Sequence, residues 1–532
     1  MKKINGKDFK GMIASGAANL ENNEKEINTL NVFPVPDGDT GTNMSMTFTN
    51  GNKEAASVMS DDIGVVAKSL SKGLLMGARG NSGVILSQIF RGFAKYTAGK
   101  ESLNAFEISE AFLEGARVAY KAIMKPVEGT ILTVIREAAW YANHDFKDNK
   151  NITVEEYFEN ILRYADDSLV HTPDLLPALQ EAGVVDSGGA GLLKILEGFK
   201  AYLDGNPVVK KSCAAVELTQ EAAKEDYKGY SVDLRVKLNP EYATKKFDLE
   251  VVASRLNKEA DNLKYSSDKD VLEVSVNTLK PGEILNICQR YGEFISVKIE
   301  NPALKDYRKV KESKKYGIIA VAAGTGITDL FYELGVDIVV SGGQTMNPST
   351  QDFMEKIEEL DNCETIFIFP NNSNIVLAAE QAKIMANKDI VVIPSKSIQA
   401  GLSALMLFNP DADKDDIEAE MNDVIRNVKV AQITYAVKNT SFDGVEVKEG
   451  DFISLVDKTI LDSSDNLKDV LIKTADKLIE NKTKELMTII TGEGSDPAIT
   501  EELVKHIEDN SDFEVQLFDG GQPVYSYLFG LE

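Results

Sequence analysis

Apolar residues recur at helical spacing from Phe9 to about Leu203. Val66, Leu70 and Leu74 form an i, i+4, i+8 stripe, and Ile108, Phe112, Ala119 and Ile123 form another. Further helical runs span Ile131 to Asn143, Val154 to Leu169 and Leu192 to Leu203, and nothing in this part alternates like a strand for long. The pattern predicts an all-α first domain over residues 1–205. Asp204-Gly205-Asn206-Pro207 and the aperiodic stretch through residue 226 read as a linker over 206–226. The period then becomes two. Tyr230, Val232, Leu234, Val236 and Leu238 alternate with Ser231, Asp233, Arg235 and Lys237, which predicts a strand with one buried face. A helical run from Phe247 to Leu263, a strand through Leu272, Val274 and Val276, a helix from Glu283 to Tyr291 and a strand through Ile295, Val297 and Ile299 complete a small α/β sandwich over 227–305. Over 315–532, apolar runs at Ile318–Ala322, Ile338–Val340, Thr365–Phe369 and Ile390–Ile393 are spaced by helical stretches, the pattern of parallel strands in an open α/β sheet. Phe513 to Tyr525 reads as another strand entering a loop.

The interruptions of the helical domain carry the chemistry. In Val35-Pro36-Asp37-Gly38-Asp39-Thr40-Gly41-Thr42-Asn43-Met44, two carboxylates sit one residue apart on a turn that a proline and two glycines permit. Such hard acceptors suit Mg²⁺, which leaves its other positions to water and phosphate oxygens. The same residues also make a good turn, with Thr42 or Asn43 as a helix cap. Gly77-Ala78-Arg79-Gly80-Asn81-Ser82-Gly83 lets backbone approach a phosphate, or simply separates two helices. Glu128-Gly129-Thr130 and Asp186-Ser187-Gly188-Gly189-Ala190-Gly191 are two more helix entries with the same ambiguity. In an antiparallel bundle, alternate loops share one end, where these could converge. In the last domain, the loops 323–326, 341–348, 370–374 and 394–397 follow the strands, where open sheets place their ligands.

A formal charge of -26 argues against a nucleic acid partner, whose binding rests on Lys and Arg. The three cysteines, Cys213, Cys288 and Cys363, are far apart and form no C-x-x-C, as expected of thiols in a reducing compartment. Residues 1–7 lack the apolar core of a signal peptide and no segment is apolar enough to span a membrane, so a cytoplasmic location is expected.

The four loops, in this order, resemble the DhaL-type nucleotide-binding domain of dihydroxyacetone kinases. The longer run Asn31 to Met44 is similar to the bacterial subgroup represented by the kinase component of fatty acid kinase. So are Gly-Gly-Gln-Thr-Met-Asn-Pro-Ser at 342–349, Pro-Asn-Asn at 370–372 and Gly-Gly-Gln-Pro-Val-Tyr at 520–525. The resemblance implies an antiparallel helical barrel of about eight helices holding ATP or ADP and Mg²⁺ at one end, a small α/β middle domain, and a DegV-like open-sheet domain that docks a separate fatty-acid-binding carrier protein. Carried over, Asp37 and Asp39 ligate Mg²⁺, with Asn31 the nearest candidate for a third ligand. Thr40, Gly41, Thr42 and Asn43 contact the phosphates, Asn81, Ser82 and Gly83 form the second phosphate loop, and Gly129, Thr130, Asp186 and Gly188 complete the pocket. Arg79 is the candidate catalytic cation. Relatives hold a metal in the middle domain through Cys and His; here Ser231, Ser275 and Asn277 stand instead, all poor zinc ligands, so no zinc is expected.

The implied reaction is phosphoryl transfer from ATP to a carrier-held fatty acid carboxylate, giving acyl phosphate for phospholipid synthesis. A polyol kinase of the dihydroxyacetone type and a non-catalytic nucleotide sensor are the rival readings. The sequence leaves a homodimer open.

Overall fold

The computed structural model describes residues 1–32, 38–123, 125–211, 229–239, 249–256, 261–268, 271–301, 313–343, 346–436, 439–442, 445–456, 459–480 and 486–531. Two compact units emerge: residues 1–212 together with 313–532, and residues 213–312.

The first unit opens with β1 (Ile4–Asn5), α1 (Gly6–Asn22) and α2 (Glu24–Thr29). There follow α3 (Thr40–Ser57), α4 (Ile63–Gly77), α5 (Gly80–Thr97), β2 (Ser102–Leu103, antiparallel to β1), α6 (Ala105–Ala122), α7 (Ile131–His144) and α8 (Val154–Val170). The short α9 (Thr172–Leu175) and α10 (Pro177–Ala182) lead into α11 (Ser187–Leu203). The predicted apolar stripes face inward: Leu70, Leu74, Ile108 and Phe112 are all buried. Phe9, Phe48, Phe90, Phe93, Phe112, Phe158 and Phe199 form a continuous ring cluster, with Phe9 stacked on Phe93 at 5.3 Å. Burying each such ring is worth about 1.5–3 kcal/mol. The bundle closes where first and last helices cross, because a Cβ on Gly198 would lie 2.5 Å from the Gly16 Cα. Only glycine allows that approach.

In the second unit, β3 (Tyr230–Leu238), α12 (Leu249–Leu256), β4 (Asp261–Asp268), β5 (Val271–Thr278), α13 (Pro281–Gln289) and β6 (Gly292–Glu300) form a sheet in the order β4-β5-β3-β6. Val232, Leu234, Val236, Leu272, Val274 and Val276 pack with Val252, Leu256, Ile284 and Cys288 from its helices. The helix predicted to run to Leu263 is described over Leu249–Leu256, and β4 begins at Asp261. Asp-Asn-Leu-Lys-Tyr-Ser-Ser-Asp carries no apolar alternation, so its strand character comes from antiparallel pairing with β5. Ile295, Val297 and Ile299 do lie on a strand, but they are exposed by 51, 45 and 38%. β6 is an edge strand with a bulge opposite Arg235 and Val236, and its Phe294 packs on the core. Ser231 pairs with Asn277 and Ser275 with Asp233 across β3 and β5.

The C-terminal part of the first unit begins with β7 (Lys314–Ala322), α14 (Thr325–Glu333), β8 (Ile338–Ser341), α15 (Thr350–Glu359), β9 (Cys363–Phe369), α16 (Val376–Met385) and β10 (Asp389–Val392). These strands are parallel in the order β10-β9-β7-β8, as their apolar runs predict. Then come α17 (Ile398–Met406), α18 (Lys414–Asn427), β11 (Lys429–Tyr435), the hairpin β12 (Thr440–Phe442) and β13 (Val445–Val447), β14 (Phe452–Val456), β15 (Thr459–Ser464), α19 (Leu467–Ile479), β16 (Leu486–Thr491), α20 (Pro497–Asn510), β17 (Glu514–Asp519) and β18 (Tyr527–Leu531). They add a second, mixed sheet in the order β15-β14-β11-β18-β16-β17, of which the sequence pattern foretells only β17, the strand read from Phe513 onward. Ala78 and Val84, flanking the start of α5, pack into the apolar layer of the parallel sheet beside Val321, Phe353 and Ile375. Among the described residues no helix is long and apolar enough to cross a membrane.

Candidate nucleotide and metal site

Four helices, α3, α5, α7 and α11, start at the four loops singled out in the sequence, and these starts touch one another. Ser187 Oγ donates to Thr40 Oγ1 at 3.2 Å, joining the fourth loop to the first. Gly80, at φ +59°, lies so close to Asn43 that a Cβ would stand 2.6 Å from its Nδ2, joining the second to the first. Gly188 lies so close to Ile131 that a Cβ would stand 3.2 Å from the Ile131 Cβ, joining the fourth to the third. The positive ends of four helix dipoles therefore share one place, a setting that favours a polyanion. Away from it, α1, α6 and α8 carry capping boxes from Asn5, Asn104 and Thr153. At it, the N-cap residues of α3, α5 and α7, Asp39, Arg79 and Thr130, make no capping bond.

The individual residues fall as follows. Asp37 lies outside the described residues. Asn31 is buried beyond α2, its N–H donating to the Asn28 carbonyl. Asp39 is buried, and its Oδ2 accepts from Asn347 Nδ2 at 2.5 Å. Thr40 and Asn43 are buried in the first turn of α3, and Gly41 packs against the Glu24 carbonyl, 2.3 Å from where a Cβ would be. Thr42 is turned toward α2: its hydroxyl donates to Glu24 Oε1 at 2.9 Å and accepts from Asn28 Nδ2 at 3.1 Å. Asn28 Oδ1 also takes the Thr42 N–H, standing in for the missing cap. Asn81, Ser82 and Gly83 form the first turn of α5, with Asn81 Nδ2 donating to Asn374 Oδ1 at 3.1 Å. Gly129, at φ +79°, donates its N–H to Thr133 Oγ1, while the Thr130 hydroxyl donates to the Val127 carbonyl. Gly188 packs against Ile131 and Asp186.

Arg79 donates Nη1 to the Asn347 carbonyl at 2.6 Å and lies 3.3 Å from Asp352. Its guanidinium thus ties the second loop to the loop after β8. The strand pattern assigns that C-terminal loop to a different site, at the end of the parallel sheet. Nothing in a single sequence says that residue 347 reaches residue 39.

Burial pushes the Asp186 carboxyl up to about 6, against the backbone N–H groups of Gly189 and Ile131 that favour its ionised form. Because the folded value lies above the unfolded 3.8, the group's contribution to stability is complete below about pH 4 and is lost as pH rises through about 6. Asp186→Asn removes this titration. The difference in melting temperature between variant and wild type is expected to move in the variant's favour from pH 5 to pH 7.5, and a difference independent of pH would contradict the assignment.

Among the described residues, no three His, Cys, Asp or Glu side chains gather as a metal cage. A buried Asp39 with oxygen-bearing amides around it fits a cation that takes one or two carboxylates and fills its shell with phosphate and water, as Mg²⁺ does. At the carboxyl ends of β7, β8 and β9 a cavity of about 360 Å³ is lined by Gly342, Asn371, Ser397, Gln399, Gln522 and Val524, where the strand pattern placed a ligand site. Asn371 and Val524, at φ +56° and +72°, are the only non-glycine residues with left-handed backbone among the described residues.

Family models match nearly the whole chain, one after another. A DAK2 domain matches residues 34–201, a FakA-like middle domain of the fatty acid kinase type 227–307, and a FakA-like C-terminal domain of the same type 317–532. Protein YloV of Bacillus subtilis is 40% identical, and an uncharacterised protein of Staphylococcus aureus strain USA300 is 41% identical, each match covering 100% of both chains. Among solved structures, a DegV family protein of Corynebacterium glutamicum is similar at 11% identity and a TM-score of 0.33, covering 41% of this chain and 97% of that one. The dihydroxyacetone kinase of C. freundii is similar at 19% identity and a TM-score of 0.26, covering 36% of this chain and 33% of that one. With relatives of this identity over their whole length and the family's domains matched in order, the chain belongs to the FakA-like fatty acid kinase family, as a DAK2-domain protein.

Proposed function

We propose that this chain is the kinase component of a two-protein fatty acid kinase. It transfers the γ-phosphate of ATP to the carboxylate of a fatty acid presented by a separate fatty-acid-binding protein, giving acyl phosphate and ADP. The observation that carries the reading is the meeting of four helix N-termini with the buried Asp39 at one end of the bundle. Asp39 with Asp37 would hold Mg²⁺, which supplies charge neutralisation between the phosphates. The first turns of α3 and α5 would receive the phosphates, with the Gly129–Thr130 and Asp186–Gly188 entries closing the pocket. Arg79 acts here as a positioning residue, through the loop it fastens.

The acceptor needs little help. A fatty acid carboxylate, with a pKa of roughly 4–5, is already ionised at neutral pH, so a carboxylate oxygen can attack the γ-phosphorus without a general base. The new C(=O)O–P bond forms as the bond to the ADP oxygen breaks, and no proton changes hands. The chain's contribution is to fix donor and acceptor in line and keep water out. The C-terminal part, whose loop after β8 already reaches the nucleotide end, is the proposed platform for the carrier. ADP release from Mg·ATP should require the carrier in its lipid-loaded form; equal rates with delipidated carrier would remove the acyl acceptor from the proposal.

A further inference from the structure

We propose that the C-terminal part of the chain completes the nucleotide site through Asn347, which orients Asp39 with its amide nitrogen and offers its amide oxygen to the Mg²⁺–nucleotide. The inference rests on the nucleotide reading given above and deepens it.

Asn347 lies on the loop between β8 and α15, is 2% exposed, and places Nδ2 2.5 Å from Asp39 Oδ2 and 3.4 Å from Asn43 Oδ1. An ionised carboxylate only accepts, so the nitrogen must be the atom facing Asp39, and this fixes the other end of the amide. That end, Oδ1, is buried with no hydrogen-bond partner. A buried acceptor left without a donor is costly and calls for an explanation, such as a ligand that arrives later. An amide oxygen is among the hard donors Mg²⁺ accepts, and an N–H held on the distal side of a metal carboxylate is a recurrent way to aim it.

The placement is enforced from both sides. The Asn347 carbonyl accepts from Arg79 Nη1, Arg79 also pairs with Asp352, and the Thr350 N–H donates to the Ala78 carbonyl at 3.2 Å. Ser349 caps α15 with a capping box, which anchors the loop's far end. If Asn347 merely sealed the contact between the two parts, it would be equivalent to the amide pair in which Gln88 Nε2 donates to Gln381 Oε1 at 2.9 Å, which bridges the same parts without touching Asp39. That pair supplies the control.

The test uses the full chain and a fluorescent ATP analogue titrated over a series of Mg²⁺ concentrations. Asn347→Ala should raise the Mg²⁺ needed for half-maximal binding about 10- to 100-fold, while Gln381→Ala leaves it unchanged. Asn347→Asp keeps an oxygen for the cation but sets a second carboxylate against Asp39. It should melt below wild type in EDTA and gain more than wild type from Mg·ADP, a response that a purely structural amide would not give. An unchanged Mg²⁺ requirement in Asn347→Ala, an equal shift in Gln381→Ala, or an Asn347→Asp protein indifferent to Mg·ADP would each overturn the inference. In those cases wild type still binds and Asp39→Asn does not, so the nucleotide reading survives. Wild type that binds no nucleotide in Mg²⁺ would instead overturn that reading, and this inference with it.

Discussion

Asp39→Asn is expected to lower Mg²⁺-dependent phosphoryl transfer by about 10²- to 10³-fold, because a metal's stabilisation of phosphoryl charge amounts to several kcal/mol and each 1.36 kcal/mol is tenfold in rate. The fold should tolerate the change. Asp39 makes no capping bond to α3, asparagine is as good at that position, and the amide oxygen can still accept from Asn347. A melting temperature within roughly 2–4 °C of wild type, alongside lost turnover, would separate chemistry from stability. Asp37→Asn should behave in parallel. Turnover near the wild-type rate in either variant would remove these carboxylates from the metal.

Gly80→Val should weaken nucleotide binding by about 30-fold or more while the bundle remains helical. Gly80 has φ +59°, a conformation in which a β-branched residue is strained, and its missing Cβ leaves the space that Asn43 Nδ2 fills at 2.6 Å. The two costs together come to about 2 kcal/mol or more, and the easiest relief is displacement of Asn43 from the first phosphate loop. Circular dichroism should show unchanged helix content, and a titration with ADP should show the loss. Wild-type affinity would mean that Asn43 and Gly80 do not shape the phosphate pocket.

Much of this is legible in the sequence, for identifiable reasons. Helical spacing around Leu70, Leu74, Ile108 and Phe112 is long and regular, so the bundle can be read directly. The glycine-bearing helix entries stand out because their glycines and polar residues break the apolar spacing of the helices they join. What stays hidden is set by contacts between distant positions. β4 has a polar sequence and becomes a strand by pairing with β5, while Val297 and Ile299, though opposite the buried Leu234 and Val232, stay exposed on the sheet's edge strand β6, and Ile295 is the extra residue of its bulge. The resemblance implies a phosphate contact for Thr42, and no local signal shows that its hydroxyl bonds to Glu24 and Asn28 of α2. The reach of Asn347 to Asp39 has no local signal, since the loop after β8 looks like any ligand loop at the end of a parallel strand.

The most direct test of the central claim is to incubate the purified chain with Mg·ATP and a fatty-acid-binding protein loaded with one defined fatty acid, in the presence of hydroxylamine. An acyl phosphate is captured as the acyl hydroxamate, so hydroxamate of that fatty acid should accumulate in step with ADP, and both should vanish in Asp39→Asn. ADP formed without hydroxamate, or hydroxamate formed equally by Asp39→Asn, would contradict phosphoryl transfer to the carboxylate at this site.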